Sequence, residues 1–332
     1  MHPTFPNPRD RHGDRQPPLA QRWRLRAIFG VAVVASILTV TAGCSKKVES
    51  AEVVVPHTDI ESKPNVVFLL FGDRSDPRLL PVATSVQGRV APVYLDANGW
   101  RDFDHLYFRP GTPLSVYRDG RPDGEARIRR GMWNDSGPLY KLPRCRSPKP
   151  LAAVAARPSE AEAVMLERIA TSEPLAAPGI RAPISPAALD SARAIATKVA
   201  QQEGLTKNAR AELDLAVSAI QTGATNAPTL VASYMERGGG IRGHPRHLFL
   251  LADSTAKGYV ASFVHVAGDS LPEFRRLIDH ADVTGDGVDE LLLEGWANGG
   301  QSYLLFLHFV DGKWVEMARG ETSWCADPKK KA

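Results

Sequence analysis

The chain has 332 residues, 43% of them apolar and 23% charged, which is enough for two modest cores and argues against wholesale disorder. Its formal charge of +4 lies entirely ahead of Cys44, where Arg9, Arg11, Arg15, Arg22, Arg24 and Arg26 outnumber Asp10 and Asp14. The remaining 35 basic and 35 acidic side chains cancel. That balance argues against a nucleic-acid binder, which needs Lys and Arg clustered on the folded body.

Behind the arginines, residues 27–41 form an apolar run. At about 15 residues it falls short of the roughly 20 that a spanning helix needs. Small residues Ala42 and Gly43 then lead into Cys44. A basic segment, a short apolar segment and a small-residue cleavage site describe a secretory signal peptide. Val40-Thr41-Ala42-Gly43-Cys44 resembles the lipobox of bacterial lipoproteins. The resemblance implies cleavage before Cys44, acylation of its sulfur and new amino group, and a lipid tie to a membrane of the bacterial cell envelope. Thr41 stands where leucine is usual, so an ordinary secretory signal stays open beside the lipobox, as does a membrane anchor. Ser45 in place of an aspartate favours the outer over the inner membrane.

Residues 1–43 are thus the signal peptide and 44–64 a polar tether. With Cys44 lipidated, Cys145 and Cys325 remain as an even pair in an oxidising compartment. A disulfide between them would close a loop of about 180 residues and be worth up to roughly 5 kcal/mol. Two free buried thiols are the alternative.

The fold class expected is α+β, with a β-rich N-terminal domain (65–147), a helical middle segment (148–225), a C-terminal antiparallel β-meander (226–326) and a basic tail (327–332). In the first part, the apolar run 66–71 is a buried strand, and strands follow near 89–95, 114–117 and 126–129. The turn-rich stretch 119–124 predicts a hairpin. In the middle, Ser159 with Glu162 forms a capping box ahead of Val164, Leu166 and Ile169. Ser185-Pro186 starts a helix running to Gln202, which Gly204 stops. Thr206 caps a third helix, with Ala209, Leu213, Ala216, Val217 and Ile220 on one face. From 227 the period changes to two, giving strands at 230–235, 247–252, 259–266, 290–293, 303–310 and 313–317. Asn298-Gly299 and Asp311-Gly312 supply tight turns.

One local motif carries chemistry. Asp282-Val283-Thr284-Gly285-Asp286-Gly287-Val288-Asp289-Glu290 places oxygen side chains at positions 1, 3, 5, 8 and 9. An EF-hand is excluded, because Leu293 stands where its glutamate belongs and the flanks are strands. The segment resembles the calcium loop of FG-GAP and VCBS-type repeats in integrin-like β-propellers. That resemblance implies a calcium ion held by the side chains of Asp282, Thr284, Asp286 and Glu290 and the carbonyl of Val288. Thr284 and Glu290 replace the commoner Asn/Asp and Asp. The motif occurs once in the sequence, so no propeller is predicted. A plain β-turn without an ion is the alternative.

The Gly-x-Ser-x-Gly elbow, the His-Glu-x-x-His helix and a glycine-rich phosphate loop are missing from the sequence. The function expected is a non-enzymatic binding or structural role, membrane-bound through lipid, with an envelope protein or a glycan as partner and calcium as the one candidate cofactor. The alternative is a periplasmic or surface hydrolase with scattered residues, for which a cleft gathering His244, His247 or His265 with an acid would speak. Trp296, Tyr303 and Trp314 are either an aromatic binding face or cross-strand packing pairs.

Overall fold

The structure is a computed structural model that describes residues 57–73, 77–131, 133–134, 137–138, 152–158, 165–178, 183–236, 246–267, 273–297 and 301–320. Cys44, Cys145, Cys325, His244, the capping box at Ser159 and Glu162, the Asn298-Gly299 turn and the basic tail lie outside the described residues. The protein is mostly β, built from antiparallel sheets.

The first strands are β1 (Asn65–Asp73), β2 (Arg78–Val86) and β3 (Arg89–Pro92), followed by helix α1 (Ala97–Tyr107). Next come β4 (Pro113–Arg118), β5 (Arg121–Arg130), the short β6 (Trp133–Asn134) and β7 (Gly137–Pro138), β8 (Ala152–Pro158) and β9 (Met165–Thr171). The sheet runs β1-β9-β4-β5-β8-β2-β3, and a further β1–β2 pairing closes six of these strands into a ring. The closed sheet explains why residues 66–71 are apolar without alternation. Val66, Phe68 and Leu70 point inward against Phe103, Tyr107 and Phe108. Val67 and Leu69 point outward against a second layer. A strand buried on both faces has no polar side to show.

Helix α1 starts at Asp96, whose Oδ1 accepts the Gly99 N–H at 2.7 Å. It brings Phe103 into T-shaped contact with Phe68, ring centres 6.3 Å apart. Its last residue, Tyr107, donates to the Pro64 carbonyl at 2.9 Å.

The middle segment departs from the helical expectation. The stretch holding Leu166 and Ile169 is strand β9, paired over seven positions with β1. Ile169 and Ala170 are buried on opposite faces, so the strand satisfies two cores where a helix would satisfy one. Strands from both sides of the 147/148 composition break therefore share one sheet.

Helix α2 (Pro186–Gln202) matches the expected helix, its Ser185 hydroxyl accepting the Ala188 N–H, with Gly204 at φ 79° beyond its end. Helix α3 (Lys207–Ala211) is one turn only. The residues read as its continuation form β10 (Leu213–Ile220), which pairs along its whole length with β11 (Thr229–Glu236). A ladder of eight residue pairs overrides the helical spacing.

Strands β12 (His247–Thr255) and β13 (Gly258–Ala267) complete a four-stranded meander with β10 and β11. A second meander follows, made of β14 (Glu273–Ala281), β15 (Glu290–Ala297), β16 (Gln301–Val310) and β17 (Lys313–Arg319). Alanines Ala188, Ala192 and Ala196 pack α2 closely on the outer face of the first meander. Phe249 and Leu251 of its inner face meet Leu291, Leu293 and Leu305 of the second. The far face of the second meander, through Leu292, Leu304 and Phe306, covers the closed sheet.

Both meanders have eight residues in their first connection, 221–228 and 282–289, and two in their last. The motif that occurs once in the sequence thus has a structural counterpart with different residues.

Candidate functional site

Three connections converge at one end of the sheets: the β4–β5 turn and the first connections of both meanders. The Asp289 N–H donates to the Thr222 carbonyl at 2.8 Å, and the Gly120 N–H to the His280 carbonyl at 3.0 Å. The Asp119 N–H donates to Asp279 Oδ1 at 2.9 Å. In the β4–β5 turn Asp119 and Gly120 both have positive φ, 50° and 72°. Gly120 is required by space as well, since a Cβ there would collide with Asp289 Oδ2.

Beneath this turn His280 Nδ1 lies 2.7 Å from Asp289 Oδ2, with side chains 1% and 0% exposed. His280 Nε2 has no hydrogen-bond partner. The histidine lines a cleft of about 670 Å³ with Arg118, Asp119, Arg121, Asp123 and Gln221 among its walls. Arg121 Nη2 donates to Gln221 Oε1 at 2.9 Å across it. Neighbouring Asp279 is pushed up to about 6 by burial, against the opposing pull of His280 and two backbone N–H donors. Asp119, Asp279 and His280 each bring one potential ligand atom within 4.8 Å of the other two.

The 282–290 loop is held by its own carboxylates. Asp282 accepts the Gly285 and Gly287 N–H groups at 2.7 and 2.9 Å. Glu290 Oε2 accepts those of Val283 and Thr284 at 2.9 and 3.1 Å. Glu290 Oε1 takes the Thr284 hydroxyl at 3.0 Å and lies 2.8 Å from His308 Nδ1. Burial raises both carboxyls, that of Glu290 to about 7. Asp286 is exposed, accepts the Val288 N–H and lies 3.8 Å from His308 Nε2. Of the residues read as calcium ligands, Asp286 and Glu290 converge with His308 into a three-ligand cluster. His308, on β16, was missed because its register opposite Glu290 is a tertiary fact.

Calcium takes oxygen ligands. Asp282 and Asp286 keep lone pairs beyond their backbone bonds and fit the ion, with Thr284 and the Val288 carbonyl beside them. Both oxygens of Glu290 already meet two partners each, so Glu290 joins an ion only by giving up Thr284 or His308.

His247 and His265 serve packing. His247 Nδ1 lies 3.0 Å from the Tyr234 carbonyl, and its Nε2 accepts the Arg275 N–H at 3.0 Å. Both ring nitrogens are used, joining β11 to β14. Burial lowers His247 to about 4 and also lowers His265. Glu273, next to His265, would be raised by burial, but the Tyr303 hydroxyl and Arg275 hold it below its usual value. Tyr303 and Trp314 are 0% and 3% exposed, bonded to Glu273 and Asp253, so they are packing residues and form no binding face.

No protein-family model, curated protein or solved structure matches this chain.

Proposed function

We propose that the chain is a bacterial envelope lipoprotein, tied to the membrane through Cys44, whose folded body has a non-enzymatic binding role, with an envelope protein or a glycan as partner. The observation that carries it is the arginine-rich segment, apolar run and Ala42-Gly43-Cys44 sequence, followed by a polar stretch before the body. Among the described residues no helix is long and apolar enough to cross a membrane. Acyl chains would supply the tie in place of a span. A rigid stack of sheets with a polar cleft at one end suits capture of a polar partner, and calcium at the 282–290 loop would stiffen that end. Ser45 favours sorting to the outer over the inner membrane.

The test is fractionation of cells expressing the wild type and Cys44→Ala. The wild type should sediment with membranes and the variant should appear in the soluble fraction; equal membrane retention of both would refute the lipid tie. One observation favours a hydrolase as second reading: the Asp289–His280 pair at the cleft resembles the way a carboxylate orients a general base. Loss of a measured hydrolytic activity in His280→Gln would select it.

A further inference from the structure

We propose that Asp119, Asp279 and His280 form a binding site for a divalent transition-metal ion, Zn²⁺ or Mn²⁺ in class, at the wall of the cleft. Polar atoms buried in folded proteins are almost always paired, so one left alone marks a missing partner. His280 is buried at 1% exposure, yet its Nε2 has no hydrogen bond. Its other nitrogen is held by Asp289 at 2.7 Å. That is how metal-bound histidines are built: a carboxylate takes the proton of one ring nitrogen and leaves the lone pair of the other for the ion.

The two further ligands are in place. Asp119, Asp279 and His280 present ligand atoms within 4.8 Å of one another. Asp279 Oδ1 accepts the N–H groups of Asp119 and His280, at 2.9 and 2.8 Å, and Oδ2 that of Ile169 at 3.4 Å, which fixes the carboxylate and leaves one lone pair on Oδ2. Asp119 is exposed at the tip of the β4–β5 turn, so its side chain is free to close on an ion. Asp119 and His280 also line the cleft, which provides the entry path and room for a further ligand on the ion.

One imidazole with two carboxylates is a donor set for borderline metals and poorly suited to calcium, which wants oxygen alone. The site is therefore separate from the calcium ligands read at Asp282, Asp286 and Glu290, although Asp289 of the same loop orients its histidine, and it does not depend on the lipid tie. Failure of one leaves the other standing, since membrane fractionation and metal titration are read separately.

The experiment titrates the full chain in detergent, stripped by a chelator, with Zn²⁺ by calorimetry and with Co²⁺ by visible absorption. One ion should bind per chain. Asp119→Asn, an exposed change whose fold is checked by circular dichroism, should weaken binding at least about tenfold, and His280→Gln should remove it. Asp289→Asn should weaken it by about 10–100-fold. Asp286→Ala should leave it unchanged. The proposal is overturned if the wild type binds neither metal, or if Asp119→Asn and His280→Gln bind as the wild type does. It is equally overturned if Asp286→Ala abolishes binding, which would move the ion to the loop.

Discussion

The two four-stranded meanders share strand order and the lengths of their first and last connections but hold their eight-residue connections with opposite chemistry. In the first, hydroxyls do the work: Thr222 accepts the Ala224 N–H and Thr225 that of Ala227. In the second, the carboxylates of Asp282 and Glu290 take the loop N–H groups. The acid has also changed strands. Thr229 on β11 faces Asp253 on β12, whereas Glu290 on β15 faces His308 on β16. A loop of this shape needs acceptors at fixed places, and either a neutral or a charged residue supplies them. Charge gathers only at the second connection, and the β4–β5 turn closes over that one.

The largest effect should come from Asp253, which accepts Thr229, Ser262 and Trp314 while buried. Asp253→Ala strands three donors and should cost about 4 kcal/mol by urea denaturation. His308→Ala, its counterpart on a less buried side chain, should cost about 1 kcal/mol. Equal losses would break the comparison.

Next is His247, which ties the two meanders together. Its folded value, about 4, lies below the usual 6.5, so its contribution is present above pH 6.5 and is lost as pH falls toward 4. Over that window wild-type stability should decline by about 3 kcal/mol relative to His247→Gln. A constant gap between the two unfolding curves would contradict the neutral, doubly bonded ring.

Gly120→Ala forces a Cβ into Asp289 at positive φ and should cost about 2 kcal/mol. Gly258→Ala, in the last turn of the first meander, meets open space and should show the φ penalty alone.

The smallest effect is calcium. Millimolar calcium should stabilise the wild type by about 1 kcal/mol, seen as a small rise in Tm that Asp286→Ala abolishes. Thr225→Ala, in the first connection, should keep the response.

Strands with both faces buried or with regular alternation were legible in the sequence, as β1 and β11 to β13 show. Helix α2 was legible because Ser185, Pro186 and Gly204 mark its ends. Strands β9 and β10 were not, because alanine-rich composition and three-residue spacing imitate a helix until distant strands offer a ladder. Helix α1 was not foreseen, its first turn holding Asn98-Gly99, two poor helix formers. Of the site, the 282–290 loop was visible as a motif, and Asp119-Gly120 as part of a turn. The pairing of His280 with Asp289 was not, since it depends on the two ends of the loop being brought together and covered by a turn some 160 residues earlier.

The lipid tie is read straight from the mass of the N-terminal peptide of membrane-extracted protein. That peptide should begin at Cys44 and carry acyl chains on sulfur and amino group. A peptide that begins elsewhere, or an unmodified Cys44, would contradict the tie.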